Sequence, residues 1–233
     1  MRPVKSIQVC GRQRYRFLLL AALLLSLEWV APTLSFAAEA KLSHLGHLMA
    51  DEAAGENAPE LKLDFWQNVA FERLPIEAEK TRLEDIQKRF GGSLHAHDAA
   101  AGTVTWLCFA KRAAATTRAW TVWFASSTAG SEPHGHPVTL IAVQEINAGA
   151  SDGCAVALSG SSLPTFDVPS LGSSAVYLKA HFGQLPYDRV GNVYYDSVRP
   201  LDDGSGKSVY QRLGYIVTKR GMVTGVAVTQ TTN

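Results

Sequence analysis

The stretch KAHFGQLPYDRVGNVYY (residues 179–195) repeats the pattern of an earlier stretch, KRFGGSLHAHDAAAGTVTW (residues 88–106). Each has a basic end, Phe-Gly, a polar loop, a glycine, and then a segment of valine and aromatic residues. In the first copy the apolar positions 76, 83, 86 and 90 have helical spacing, with Pro75 where a helix begins and Gly91 where it ends. The repeat therefore predicts a helix followed by strands, twice along the chain.

Three strand-like segments follow each predicted helix. GTVTWLCF (102–109) matches GNVYYDSV (191–198), RAWTVWFAS (118–126) corresponds loosely to RLGYIVTK (212–219), and VTLIAVQ (138–144) matches VTGVAVT (223–229). These segments are rich in β-branched and aromatic residues, as is typical of strands. We therefore expect an α+β fold of two tandem units, each a helix followed by a three-stranded antiparallel sheet. The alternative is that the similarity between the two stretches arose by chance, because units of a helix followed by a hairpin are common.

The repeat also sets the expected boundaries. The first unit covers residues 74–148, the Ser-, Gly- and Ala-rich residues 149–167 are a linker, and the second unit covers residues 168–233. Residues 38–73 do not repeat. Within them KLSHLGHLM (41–49) predicts a short helix, and the acidic, Ala-rich DEAAGENAPE (51–60) indicates a flexible spacer.

The N-terminus has the pattern of a secretory signal peptide. Five basic residues and no acidic residue precede the apolar run FLLLAALLLSL (17–27), and the small-residue site Ser35-Phe36-Ala37 follows it. We expect residues 1–37 to be a signal peptide, with cleavage after Ala37 and a periplasmic or secreted product. The alternative is a retained membrane anchor, but the apolar run has about eleven residues where a spanning helix needs about 20.

Export changes both the charge balance and the cysteine chemistry. Removing residues 1–37 takes away five of the 22 basic residues and one of the 21 acidic residues, which leaves 17 against 20. This balance argues against nucleic acid or an anionic membrane as a partner. Cys10 leaves with the signal peptide, so Cys108 and Cys154 remain as a pair in an oxidising compartment, where we expect a disulfide. A metal site or a catalytic thiol is the alternative.

The combination of export, tandem helix-plus-sheet units and a cysteine pair resembles the β-lactamase-inhibitor-protein fold. The order of helix, Phe-Gly, loop, aromatic strand and hairpin is also similar to the small outer-membrane assembly lipoproteins. The resemblance covers residues 74–232, and the chain departs from the lipoproteins because no cysteine lies at the cleavage site. It implies a binding protein rather than an enzyme, and it assigns no functional residue.

Two His-x-His segments are candidates for a metal site. His95 and His97 lie between the first predicted helix and strand, and His134 and His136 lie in the predicted hairpin between the second and third strands. An up-down-up order of strands brings both segments to the same end of the sheet, and imidazole is a good ligand for zinc, copper or nickel. The alternative is that all four are solvated loop histidines.

The strand aromatics indicate a different function. The matched pairs Val104/Val193 and Trp106/Tyr195 are assigned to the core, which leaves Trp123, Tyr194 and Tyr215 for the opposite face of the sheet. Exposed and co-facial, these three aromatics would suit a protein interface. The alternative is that the other unit or residues 38–74 cover that face.

Signals for catalysis are sparse, because the chain has no GxSxG, no HExxH and no phosphate-binding glycine loop. We therefore expect a non-enzymatic module without a cofactor that binds another envelope or secreted protein, as an inhibitor or an envelope accessory protein. The alternative is a periplasmic metal-binding protein that uses the two His-x-His segments. A hydrolase is a third possibility, and it would need a concave pocket in which a Ser or Cys is hydrogen-bonded to a His.

Overall fold

The computed structural model describes residues 58–99, 102–112, 118–128, 135–146, 153–157, 162–189 and 191–233. All of these residues belong to one unit, Ala38–Asn233. The predicted signal peptide and its cleavage site, the predicted helix at 41–49 and His134 lie outside the described residues. No helix among the described residues is both long and apolar enough to cross a membrane.

Strands dominate the described chain. In order, the elements are β1 (Ala70–Phe71), β2 (Leu74–Pro75), α1 (Leu83–Phe90), β3 (His95–Ala99), β4 (Gly102–Lys111), β5 (Trp120–Thr128), β6 (Leu140–Glu145), β7 (Ala155–Val156), α2 (Ala175–Phe182), β8 (Asn192–Pro200), β9 (Ser208–Val217) and β10 (Val223–Thr232). The six strands expected from the sequence pattern are present as β4, β5, β6, β8, β9 and β10.

The expectation of an α+β fold with two separate helix-plus-three-strand units is wrong. Eight of the ten described strands form one sheet in the order β3-β4-β5-β6-β10-β9-β8, with β7 pairing with β4, and β1 and β2 form a separate two-stranded sheet. All pairs in the eight-stranded sheet are antiparallel except the parallel pair of β7 with β4. At the centre β6 pairs with β10, where Val143 lies opposite Val226. A repeat in sequence predicts the order of elements within each copy, but it does not show that the last strands of two copies have edges free to join.

The two helices in the described residues are short and have clear end signals. In α1, Glu84 and Asp85 lie in the first turn and Lys88 and Arg89 in the last, which suits the helix dipole. In α2, Ser174 caps the N-terminus by accepting a hydrogen bond from the Tyr177 backbone N–H at 3.1 Å. The expected helix start at Pro75 is wrong, because Pro75 lies in β2 and α1 begins at Leu83.

One face of the sheet, which we call the helix face, carries the main core. The helices pack on it through Leu83, Ile86, Leu178 and Phe182, all buried. The irregular segment that precedes α1 completes this core, and its Trp66 indole N–H donates to the Ile76 carbonyl at 2.9 Å. The helix face therefore has two cover layers, one helical and one from the N-terminal segment.

The core assignment is correct in that Trp106, Val193 and Tyr195 are buried, but the members of each matched pair lie on opposite faces of the sheet. Val193 and Tyr195 lie on the helix face, as do Leu107 and Phe109, whereas Val104 and Trp106 pack on the other side of the sheet. Successive side chains of a strand point to opposite faces, so a shift of one residue in the alignment exchanges the faces. Both copies have apolar residues on both faces, and for this reason the pattern did not reveal the shift.

Candidate functional site

A second apolar cluster covers the sheet face that points away from the helices, and we call this the aromatic face. Strand register places its bulky side chains opposite small ones: Trp106 faces Ala125, and Tyr194 faces Gly214. The result is a trough with a floor of small residues and walls of indole and phenol rings. Its buried members are Trp106, Cys108, Trp123, Ala125, Leu140, Ala142, Tyr194 and Ala227.

A cavity of about 360 Å³ opens at one end of the aromatic face. Its apolar lining comes from Val104, Ala125 and Leu140, and hydroxyl-bearing side chains surround this lining. At its edge lie two exposed apolar residues, Tyr210 (43% exposed) and Val198 (36% exposed). These two residues are direct partners in the β8–β9 pair, so they form one continuous apolar rim.

An ion pair forms one wall of this cavity. The Arg212 Nε–H donates to Asp196 Oδ1 at 2.7 Å, and its Nη2 donates to Asp196 Oδ2 at 3.1 Å. The backbone of Asp196 is held as well, because its N–H donates to the Pro59 carbonyl and its carbonyl accepts from the Leu61 N–H. Since the guanidinium neutralises the carboxylate in a bidentate pair, this wall is polar but carries little net charge.

The structure describes three of the four predicted metal ligands, and they have different neighbours. His95 and His97 lie on edge strand β3 opposite Trp106 and Val104, and the His95 ring stacks on Trp106 with ring centroids 5.8 Å apart. His136 lies instead beside α1, where its Nδ1 is 2.6 Å from Glu84 Oε1. Among the residues that the structure describes, no three His, Cys, Asp or Glu side chains are grouped to hold a metal ion.

The His136–Glu84 pair fixes the segment before β6 to α1. The His136 backbone N–H also donates to Glu84 Oε2 at 3.2 Å. Partial burial tends to raise the pKa of Glu84, but the hydrogen bonds from His136 outweigh it and the pKa is lowered. The adjacent Gly135 has φ of +97°, and a Cβ at this position would lie 3.1 Å from Glu84 Oε2. Glycine therefore permits both the backbone conformation and the close approach of the carboxylate.

The expected exposed surface of Trp123, Tyr194 and Tyr215 is not present. Trp123 and Tyr194 lie on the aromatic face and are only 6% and 2% exposed. Tyr215 lies on the helix face and is fully buried, because it pairs with Val193 in the β8–β9 register. Two of the three aromatics are therefore co-facial, and none of them is exposed.

The cysteines meet at the edge of the aromatic face. Cys108 and Cys154 lie at disulfide distance, with 2.08 Å between their sulfur atoms. Cys108 is opposite Trp123 in the β4–β5 pair, and Cys154 immediately precedes β7. The expected pairing of these two cysteines is therefore consistent with the structure, and it ties β7 to the side of β4 that carries the trough.

Sequence reasoning missed the rim of the cavity. Tyr210 and Arg212, like Asp196 and Val198, are two residues apart in a strand and therefore share a face. An aromatic residue alternating with a charged one on the same face of a strand is the signal that predicts a partly solvated surface.

Comparison with protein-family models, curated proteins and solved structures finds no match.

Proposed function

We propose that this protein is a non-enzymatic, exported module that binds another envelope or secreted protein, and that the cavity at the end of the aromatic face receives the partner. The observation that carries the proposal is the exposed rim of Tyr210 and Val198 beside a cavity of about 360 Å³ with an apolar floor. Partly exposed tyrosines next to pockets are typical anchors of protein interfaces.

The polar part of the cavity supports a protein ligand rather than an ionic one. The Arg212 guanidinium and the Asp196 carboxylate satisfy each other, so neither offers a free charge to an anion or a cation. What remains for recognition is an apolar floor, an aromatic rim and hydroxyl groups from Ser127, Thr229 and Thr231. This set suits a large, weakly polar side chain that enters from a partner.

The experiment uses the oxidised, exported chain as bait for envelope and secreted proteins of the source cell, followed by measurement of Kd for the protein retained. Tyr210→Ala is expected to weaken that Kd by about 30-fold or more, the effect of losing an interface anchor worth about 2 kcal/mol. Ser127→Trp, which fills the cavity from an exposed position, is expected to weaken it as well.

Tyr177→Ala is the matched control, because Tyr177 is 55% exposed but lies on α2, on the opposite side of the sheet. It is expected to leave the affinity unchanged. If Tyr177→Ala abolishes binding and Tyr210→Ala does not, the interface is on α2 and the proposed site is wrong. If no protein is retained by the unmodified chain, the binding function itself is contradicted.

A further inference from the structure

The two helices of the described chain differ on their outer sides. In α1 the exposed residues are Asp85, Lys88 and Arg89, all of them charged. In α2, by contrast, Val176 is 79% exposed and Tyr177 is 55% exposed. A surface helix normally turns polar residues to solvent, and a helix that is apolar on all sides is normally covered. The outer side of α2 is therefore expected to contact a partner with an apolar part.

The exposed apolar residues of α2 form a ridge. Phe182 points towards the sheet, where its ring centroid lies 4.3 Å from that of Tyr195. Val176 and Ala180 are one turn apart on the opposite side of the helix, both exposed, with Tyr177 beside them. Because α2 packs on top of the sheet, this ridge is convex. Hot-spot residues of protein interfaces fill pockets, whereas an apolar ridge on a surface helix can enter the headgroup region of a membrane.

Basic residues lie beside this ridge. Lys179 is exposed on α2 itself, and the turn between β9 and β10 contributes the exposed residues Lys219 and Arg220. The turn is fixed against the start of α2, because the Ala175 N–H donates to the Gly221 carbonyl at 2.7 Å. None of the three basic residues forms an ion pair with another described residue. Their charges are therefore available to an anionic partner.

The chain around these residues lacks acidic side chains. Residues 168–187, which include α2, and residues 213–233, which include the turn, contain no Asp or Glu. The net charge of the exported chain argued against an anionic membrane as a partner, but a net charge does not describe how the charges are distributed. An apolar ridge flanked by Lys and Arg is complementary to a surface of anionic lipids.

We propose that the outer side of α2 and the β9–β10 turn, together called the α2 patch, dock reversibly on an anionic phospholipid membrane. Val176 and Tyr177 enter the headgroup region, and each nearby Lys or Arg strengthens the binding by roughly fivefold. This proposal goes beyond the proposed function and does not depend on it. Since the cavity lies on the aromatic face, it stays open to a protein partner while the α2 patch contacts lipid.

Vesicle co-sedimentation of the oxidised, exported chain tests the docking. The vesicles contain equal amounts of phosphatidylglycerol and phosphatidylcholine, or phosphatidylcholine alone. We expect the chain to sediment with the anionic vesicles, to remain in solution with the neutral ones, and to lose the binding as the salt concentration is raised. Failure to sediment with the anionic vesicles at low salt contradicts the proposal.

Two charge-matched variants locate the contact. Lys219→Glu/Arg220→Glu is expected to weaken binding to the anionic vesicles by at least about tenfold. Lys62→Glu/Lys207→Glu makes the same change in net charge at two exposed residues away from the α2 patch, since Lys207 precedes β9 at the strand end opposite to the β9–β10 turn. It is expected to leave the binding unchanged. Equal losses in the two variants would mean that net charge, and not the α2 patch, governs the binding.

A pair of valine variants tests the apolar ridge. Val176→Ser is expected to weaken vesicle binding by about fivefold. Val156→Ser is the matched control, because Val156 is 68% exposed but lies in β7, which pairs with β4, and no change is expected. If Val176→Ser leaves vesicle binding unchanged but abolishes self-association in analytical ultracentrifugation, the ridge contacts a second copy and the proposal is wrong. None of these measurements includes a protein partner, so their failure is distinct from a failure of the proposed function.

Discussion

At the scale of single residues, two neighbouring tyrosines on the helix face show how differently the same group is accommodated. The Tyr195 hydroxyl donates to the Gln184 carbonyl at 2.6 Å, whereas the Tyr215 hydroxyl is buried without a hydrogen-bond partner among the described residues. Burial raises the pKa of both phenols well above the ordinary value, so both stay neutral at any physiological pH.

The same substitution in these two rings is therefore expected to have opposite effects. Tyr215→Phe removes an unsatisfied buried hydroxyl, so it should leave the free energy of unfolding unchanged or raise it by up to about 1 kcal/mol. Tyr195→Phe removes a hydrogen bond and should lower it by about 1 kcal/mol. Urea denaturation of the two variants measures both values. A loss of stability in Tyr215→Phe equal to that in Tyr195→Phe would show that Tyr215 has an acceptor.

A second residue-scale prediction concerns Glu84, whose pKa is lowered by its hydrogen bonds with His136. A carboxylate with a lowered folded-state pKa stabilises the fold above its unfolded value of 4.5, and this contribution is lost as the pH falls through the folded-state pKa. Both side chains are about 40% exposed, so the contribution is small. Glu84→Gln should lower the free energy of unfolding by about 0.5 kcal/mol at neutral pH, and this loss should shrink as the pH is lowered below 4.5. If the loss stays the same on acidification, it comes from helix packing and not from the charge of Glu84.

At the scale of elements, the strands were the easiest part of the fold to predict and their faces the hardest. Segments such as GTVTWLCF were predicted correctly as strands because β-branched and aromatic residues cluster in them. Their faces were not predictable, because Trp106 and Leu107 are equally apolar and both are buried. The helices were predicted less well: Gly91 correctly marked the end of α1, but Ile76, which has helical spacing to Leu83, belongs to the core without belonging to the helix.

The N-terminal segment is attached to the sheet by a polar network that the sequence pattern did not show. Gln211 in β9 is only 3% exposed. Its side-chain carbonyl accepts a hydrogen bond from the Phe65 backbone N–H at 2.8 Å, and its side-chain amide donates one to Asp64 Oδ1 at 2.7 Å. These contacts join residues far apart in sequence, so no local spacing predicts them. They hold in place the segment that covers part of the helix face.

Gln211→Leu tests this attachment. It leaves the buried Phe65 N–H without an acceptor, so we expect the free energy of unfolding to fall by about 2 kcal/mol. Gln144→Leu is the matched control on the aromatic face, where Gln144 is half-buried, and a change within about 0.5 kcal/mol is expected. Both values come from chemical denaturation followed by far-UV circular dichroism. Equal losses in the two variants would show that the Gln211 amide does not anchor the segment.

At the scale of the whole molecule, the disulfide pair was predictable and the joining of eight strands into one sheet was not. Cys108 and Cys154 are the two cysteines outside the predicted signal peptide, so counting is enough to pair them. The joining of β6 to β10 depends instead on the geometry of two strand edges, which the repeat does not encode. The exposed rim of the cavity was missed for a related reason: Tyr210 and Val198 become neighbours only once β8 and β9 pair.

Removal of the disulfide is the whole-molecule prediction. The two cysteines are 46 residues apart, and closing a loop of this length stabilises the fold by about 4 kcal/mol in the chain-entropy treatment. Cys108→Ala/Cys154→Ala is therefore expected to lower the free energy of unfolding by about 3–4 kcal/mol, with the reduced unmodified chain behaving in the same way. Equilibrium unfolding in guanidinium, with and without reductant, measures this loss. If the guanidinium concentration at the unfolding midpoint is the same with and without reductant, the two cysteines are not bonded in solution.

The pairing at the centre of the sheet has a kinetic consequence. In the β6–β10 pair, Val143 lies opposite Val226, far away in the sequence, whereas β4 with β5 and β8 with β9 pair segments that are close in sequence. Pairings between distant segments form slowly, because a long loop must close before they can form. We therefore expect the β4–β5 and β8–β9 pairs to form before the central pair that joins them into one sheet.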